Sequence, residues 1–120
     1  MKLDRRKRAD DRIAVEMAAY RAARVANDSA TAWASLERAH IVSQPFLVPH
    51  LANHWAMLQF AVTERDGGEV IGQLVRLALA PLGALTGRIP VGNTGRSNVS
   101  AFQPMPVPDD LRRAIETAPE

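Results

Sequence analysis

Residues 33–55 read WASLERAHIVSQPFLVPHLANHW, and this stretch contains one helix end, a short link and the next helix start. Pro45 predicts a helix end, because proline disfavours helical backbone at the residue before it. Pro49 predicts a helix start, because proline is favourable at the first helical position. We therefore expect helices over residues 30–44 and 49–66, folded back on one another around this link.

Another helix is predicted on the N-terminal side of this stretch. Residues 9–26 repeat apolar side chains at helical spacing, and Asp10 and Asp11 suit the first turn. The turn at residues 27–29, Asn-Asp-Ser, supplies N-cap candidates for the helix that follows. The two helices together resemble a tetratricopeptide hairpin, but no second copy follows at that repeat's period.

On the C-terminal side, Gly67 and Gly68 are expected to end the third helix. Residues 69–79, EVIGQLVRLAL, are almost uncharged and predict a fourth helix at the centre of the core. Pro81 is expected to kink or end that helix, because proline lacks the backbone N–H that a helix interior uses.

From Gly87 to Pro108 the chain has four prolines, three glycines and no regular periodicity. We expect an extended arm over residues 87–108, packed on the bundle and followed by a last helix, LRRAIETA, capped by Asp109 or Asp110. The expected anchors of the arm are Ile89, Val91, Val99, Phe102 and Met105. The predicted fold class is all-α: a small antiparallel helical bundle with a tetratricopeptide-like first hairpin and a long irregular C-terminal arm. Residues 1–120 are expected to form a single helical domain.

Composition narrows the classes of function. The chain has no cysteine, which excludes disulfides, thiolate metal sites and cysteine nucleophiles. Residues 1–12 carry six basic and three acidic side chains, whereas the remainder carries nine basic and ten acidic ones. Nucleic-acid binding is therefore not favoured, because it needs basic residues spread over one face. No secretory signal or transmembrane helix is expected, and the predicted location is cytoplasmic.

All three histidines of the chain lie in the opening stretch. Glu37 and His40 are three residues apart, and His50 and His54 are four apart, so each pair projects from one helix face. If the helices fold about Asp28 and Phe46, His40 lies opposite Glu16 on one side and opposite residue 52 on the other. Five candidate ligands then converge: Glu16, Glu37, His40, His50 and His54.

Such a donor set suits a transition-metal ion, namely zinc, iron, copper or manganese. Trp33 is expected to form an apolar wall near the ion, and Gln44 and Asn53 to orient the rings. The site is mononuclear, or dinuclear if two chains of a homodimer contribute. Since no Ser/His/Asp set is present, catalytic residues are unknown and the sequence leaves open whether any reaction is catalysed.

Two other functions remain open. The hairpin and the proline-rich arm could form a protein-interaction module in which the histidine cluster is structural; such a module would have an exposed apolar groove. The segment GRIPVGNTGRSN is also a weak candidate for anion binding through Arg88, Asn93 and Arg96, because glycine and asparagine let backbone amides cluster around an anion. It lacks the lysine and the strand-to-helix context of a P-loop.

Three motifs together resemble one bacterial family. They are LERAHIVSQP, then H-x-x-x-H-W-x-M-L, then GQLVRLALAPLGALTGRIPVGNTGRSNVSAFQPMPVP. The chain is similar from about Tyr20 to Leu111 to the domain of unknown function 3703. The resemblance implies a small, mainly single-domain bacterial protein, and it implies no particular activity. Its relatives' association with heavy-metal resistance genes agrees with a role in metal handling or resistance, but transfers no ligand set.

Overall fold

The structure, a computed structural model, describes residues 2–87 and 90–116, with residues 2 and 3 described by their backbone only. Five helices follow one another: α1 (Lys2–Val25), α2 (Ser29–Ser43), α3 (Leu47–Thr63), α4 (Gly67–Thr86) and α5 (Asp109–Glu116). The described residues contain no strand, so the predicted all-α class is confirmed. α1 packs against α2, α2 against α3 and α3 against α4, and α5 packs on α1 and α2.

The first hairpin forms as its turn sequence predicts. Asn27 takes a positive φ of 55°, and the Asp28 side chain caps α2 by accepting a hydrogen bond from the Thr31 backbone N–H at 3.1 Å. α1 begins seven residues before the predicted start at residue 9. Its charged N-terminal turns carry ion pairs four residues apart, from Arg6 to Asp10 and from Lys7 to Asp11, which support an exposed helix.

Two apolar clusters hold the helices together. The first joins α1, α2 and α3, and Phe60 lies at its centre with its ring 5.5 Å from that of Tyr20 and 4.9 Å from that of Trp33. The second joins the start of α1, the end of α2 and α5. Its fully buried members are Ala9, Val42 and Leu111. The C-terminal helix therefore closes the open end of the first hairpin.

The bounds of α3 differ from the predicted 49–66. The helix begins at Leu47, and Pro49 lies within its first turn, where a missing N–H has no intrahelical partner to lose. It ends at Thr63, and the chain reverses at Arg65, which has a positive φ of 56°. The prediction that Gly67 and Gly68 end α3 was wrong. Asp66 caps the next helix there, accepting from the Glu69 N–H at 3.1 Å.

The prediction that the fourth helix lies at the centre of the core was also wrong. α4 continues through Pro81 to Thr86 and ends at Gly87, and it buries only Glu69, Gln73 and Ala80. Much of its surface is apolar and exposed, with Ile71 64%, Leu74 52% and Leu85 83% accessible. By length and composition alone α4 could cross a membrane, a test that core helices of soluble proteins also pass. The face of α4 that packs against the rest of the protein carries the buried polar side chains of Glu69 and Gln73.

Residues 90–108 form turns and extended backbone without helix. Within this segment Gly92, Asn93 and Gly95 are buried, and Arg76 of α4 holds the Val99 carbonyl at 2.6 Å. Of the predicted anchors, Val91 and Phe102 are exposed, Val99 and Met105 are half-buried, and Ile89 lies outside the described residues. The segment brings its glycine-rich turn against the junction of α2, α3 and α4.

Candidate metal centre

The three histidines meet inside the fold. His40 lies in the last turn of α2, while His50 and His54 lie one turn apart near the start of α3. Their Nε2 atoms form an almost equilateral triangle with sides of 3.0, 3.0 and 3.1 Å. The accessible fractions of the three residues are 2%, 7% and 2% in chain order. Within the described part of the chain, this group holds three histidines and no carboxylate.

A backbone carbonyl fixes the His40 ring. Its Nδ1 lies 2.6 Å from the Asn93 carbonyl oxygen, which only accepts, so Nδ1 carries the proton and Nε2 carries a lone pair. The Asn93 side chain shapes this turn by donating to the Ser100 and Gln103 carbonyls and accepting from the Gly95 N–H. The carbonyl that orients the ring is thus held in place by three hydrogen bonds.

Gly95 packs directly on the face of the His40 ring. Its φ is 83°, and a Cβ at this position would lie 2.5–2.8 Å from three atoms of the imidazole. Any larger residue would therefore displace the ring as well as strain the backbone. The close approach of this glycine is what allows the segment to cover His40.

Gln73 fixes the His54 ring. His54 Nδ1 lies 2.7 Å from Gln73 Oε1, and the Gln73 amide nitrogen donates to Glu69 at 2.7 Å and to the Gly95 carbonyl at 2.9 Å. Since the amide nitrogen faces two acceptors, Oε1 must be the atom facing the ring, and His54 Nδ1 must donate. His54 therefore also directs an Nε2 lone pair at the centre of the triangle.

The rings are neutral at pH 7. Burial, followed by the neighbouring histidines, holds the pKa of His40 well below its usual value. Burial and His54 lower the pKa of His50 to about 4, and burial lowers the pKa of His54. The Nε2 lone pairs of His40 and His54 thus face each other 3.1 Å apart. If His50 carries its proton on Nε2, that proton can form a hydrogen bond to only one of these two atoms. A cation at the centre would satisfy all three nitrogens.

The two predicted carboxylate ligands lie outside this group. Glu16 is buried, but it is held by Arg12 at 2.9 Å and by Arg38 at 3.1 Å. An arginine pair is a better partner for a buried carboxylate than three neutral rings with no ion between them. Glu37 is half-buried, and burial raises its pKa above the usual range. The structure therefore brings together the three predicted histidines but neither glutamate.

Trp33, predicted as an apolar wall, and Gln44 and Asn53, predicted to orient the rings, have other partners. Trp33 belongs to the first apolar cluster, and Arg96 stacks on it with its guanidinium carbon 3.7 Å from the ring centre. Asn53 donates to the Leu36 carbonyl at 3.0 Å. Gln44 donates to the Pro90 carbonyl at 2.9 Å. His40 and His54 instead donate hydrogen bonds from Nδ1 to the Asn93 carbonyl and to Gln73 Oε1.

Two of the three residues predicted for the weak anion site already have other partners. The Asn93 side chain donates to the Ser100 carbonyl and accepts from the Gly95 N–H, both within its own segment. Arg96 is paired with Glu69 at 2.7 Å. Arg88, the third residue named for this site, lies outside the described residues. The Arg96–Glu69 pair also joins the segment to α4, because the Glu69 carboxylate accepts from the Ser97 N–H at 3.0 Å.

Residues 7–115 match the family described as "Protein of unknown function (DUF3703)". The chain belongs to the DUF3703 family. No curated protein and no solved structure matches it. The match confirms the resemblance and extends it into the charged start of α1.

In this DUF3703 chain, sequence reasoning missed the groups that orient the rings. Gln73 had a visible signal, because it is a polar side chain inside an otherwise apolar helix. Asn93 was named only for the weak anion site, whereas its backbone carbonyl meets the His40 ring. A backbone carbonyl is common to every residue type, so no sequence pattern could have singled it out.

The three histidine rings form one wall of a cavity of about 330 Å³. The cavity lies between the end of α4 and the segment 90–108. Most of its remaining lining is apolar, contributed by Leu79, Ala80, Leu82, Ala101 and Phe102. The nitrogen triangle is therefore enclosed by protein on the helix side and faces a mainly apolar space on the other.

Proposed function

We propose that this chain binds a transition-metal ion through the Nε2 atoms of His40, His50 and His54, as a small metal-handling protein. The observation that carries the proposal is the triangle of Nε2 atoms 3.0–3.1 Å apart. Two of its three rings have their Nδ1 protons committed to neighbouring oxygens. Such outer hydrogen bonds are typical of metal-ligating histidines, because they fix the tautomer and the ring orientation.

The dimensions of the triangle suit a metal ion. With bonds of about 2.0–2.1 Å, these nitrogen separations correspond to N–metal–N angles of about 90–100° and an ion about 1 Å above the nitrogen plane. That geometry is close to one face of an octahedron. A tetrahedral site needs nitrogen separations of about 3.3 Å, which small ring movements reach. Three imidazoles favour zinc, copper, iron or nickel over the oxygen-seeking ions.

The ligand set is neutral, and this has a chemical consequence. A divalent ion held by three imidazoles keeps its full charge, because no carboxylate belongs to the group. It also keeps at least one coordination position free of protein atoms. Both properties agree with an ion that exchanges ligands at this site, either for transfer or for a reaction at the open position.

The test is metal binding by the untagged chain, because a polyhistidine tag would add imidazoles. We expect one Zn²⁺ or Co²⁺ per chain, measured by elemental analysis after dialysis and by calorimetric titration. The double variant His50→Gln/His54→Gln should bind neither ion at the same free concentration. Gln59→Ala, an exposed change on α3, is the matched control and should bind as the wild type does.

If the chain is instead a protein-interaction module, the opposite result is expected for metal binding. If the cluster is only structural, the histidine variants change the free energy of unfolding and the wild type takes up no more metal than they do. Circular dichroism of both variants checks that each is folded. Equal metal content in wild type and folded double variant would overturn the proposed function.

A further inference from the structure

The polar side chains of Gln44 and Arg76 line the cavity beside the histidine triangle, in addition to the three rings. Gln44 is 4% exposed, its Oε1 is buried without a hydrogen-bond partner, and its side chain lines the cavity. Arg76 also lines the cavity, and its Nε is likewise buried without a partner. The two side chains therefore place an amide and a guanidinium group on the wall of the cavity that the nitrogen triangle faces.

We propose that this cavity binds a small organic anion with an apolar body, whose anionic head group occupies the open coordination position of the metal. The inference rests on the proposed function, because the metal supplies the anchoring bond. It adds a class of ligand to the site, namely a carboxylate carried on a hydrocarbon chain or ring.

The charge of the site selects an anion. A divalent ion on three neutral rings brings two positive charges, and the Arg76 guanidinium on the cavity wall brings a third. Glu69 is linked to this network through Gln73, and it is already paired with Arg96 at 2.7 Å. A carboxylate head group both ligates a metal ion and accepts from a guanidinium, whereas an amine head group would be repelled.

The walls of the cavity select an apolar body. Leu79 and Leu82 of α4 lie on one side, and Ala101 and Phe102 lie on the other. The volume of about 330 Å³ is at the small end of the range of ligand pockets. A body the size of one aromatic ring fits this space better than a long lipid chain or a macromolecule.

The experiment uses benzoate as the probe and acetate and benzylamine as comparisons, each titrated into the Co²⁺-loaded chain. We expect benzoate to change the visible cobalt spectrum and to bind at least about tenfold more tightly than acetate, because its ring is buried against the apolar wall. Benzylamine, which has the ring without the anion, should bind far more weakly than benzoate.

A matched pair of variants locates the binding. Leu79→Asp places a negative charge on the cavity wall and should weaken benzoate at least about tenfold, because like charges repel, whereas the same charge should not weaken the binding of Co²⁺. Ala78→Asp adds the same charge to the adjacent, exposed residue of α4 and should weaken benzoate much less. Equal effects of the two variants would overturn the placement of the anion in this cavity.

The outcomes separate the two hypotheses. If Co²⁺ binds and benzoate binds no more tightly than acetate, the ligand class is wrong and the metal site stands. If Co²⁺ does not bind to the wild-type chain, the metal site and the anion inference fall together. Benzoate binding of equal strength to the metal-free chain would refute the metal-anchored mode.

Discussion

Gly95→Ala tests whether the metal site depends on the close contact between segment 90–108 and the His40 ring. The added Cβ would lie 2.5 Å from His40 Cδ2 and 2.8 Å from Nε2, whereas ordinary contact begins at 3.4 Å. The ring must then move by about 0.9 Å, several times the roughly 0.2 Å by which metal–ligand distances vary in well-formed sites. We expect the Co²⁺ affinity to fall at least about tenfold, or about 1.4 kcal/mol.

The variant Gly87→Ala separates the effect of backbone strain from the effect of the clash with the His40 ring. Gly87 has a φ of 71°, similar to the 83° of Gly95, but a Cβ there has open space around it. Both variants should lose about 1–2 kcal/mol of folding free energy from the left-handed backbone. Only Gly95→Ala should also lose metal affinity.

The assay has two measurements on each untagged variant. Urea unfolding followed by circular dichroism gives the free energy of unfolding, and cobalt titration against a competing chelator gives the metal affinity. A Gly95→Ala chain that binds Co²⁺ within twofold of the wild type would refute the reasoning, because the ring would then not need the position that the structure gives it.

Three further predictions follow from the same contacts. Gln73→Leu removes the acceptor of His54 Nδ1 and should lower the Co²⁺ affinity by about 10–100-fold, measured by the same competition titration; unchanged affinity would show that the ring needs no orienting partner. Glu16→Gln should leave the metal affinity unchanged and cost about 1–3 kcal/mol in urea unfolding, because it breaks the pairing with Arg12 and Arg38; a fall in affinity would return Glu16 to the ligand set. Glu69→Gln tests the pH dependence of folding. Burial acts to raise the pKa of Glu69, but hydrogen bonds from Arg96, Gln73 and Ser97 outweigh it, and the folded-state pKa lies below the usual 4.5. The carboxylate therefore stabilises the fold above pH 4.5, and that stability is lost as the pH falls through the folded-state pKa. The difference in unfolding free energy between wild type and variant should narrow below pH 4.5, and a constant difference down to pH 3 would contradict this.

The convergence of the histidines could be predicted because it depends on local features. Pro45 and Pro49 bracket the link between α2 and α3, and a link this short leaves the end of one helix facing the start of the next. The histidine spacing then places His50 and His54 on one face, one turn apart. An error of two residues in the start of α3 did not matter, because both histidines move with the helix.

The position of α4 could not be predicted from its composition. Residues 69–79 are almost uncharged, and an apolar helix is expected to be buried. The structure instead buries Glu69 and Gln73 and leaves Ile71 and Leu74 exposed. These two polar residues are four apart and lie on one face, where they bind segment 90–108 and His54. Their pairing partners lie more than twenty residues away or on another helix, beyond any helical periodicity.

The position of Glu16 outside the histidine group has a specific physical cause. Folding α1 against α2 about Asp28 places Glu16 opposite His40, but Arg38 is only two residues from His40 and its side chain is long. The structure accordingly pairs Glu16 with Arg38, at 3.1 Å, and with Arg12, one turn along α1. A buried carboxylate needs charged donors to offset its desolvation, and two guanidinium groups supply them without any ion. The register of a helical hairpin thus locates the possible partners of a residue only to within about one turn. Within that range, the strongest available counter-charge determines which partner a buried carboxylate takes. The three imidazoles are buried and neutral, so they need no counter-charge, and the structure groups them without a carboxylate.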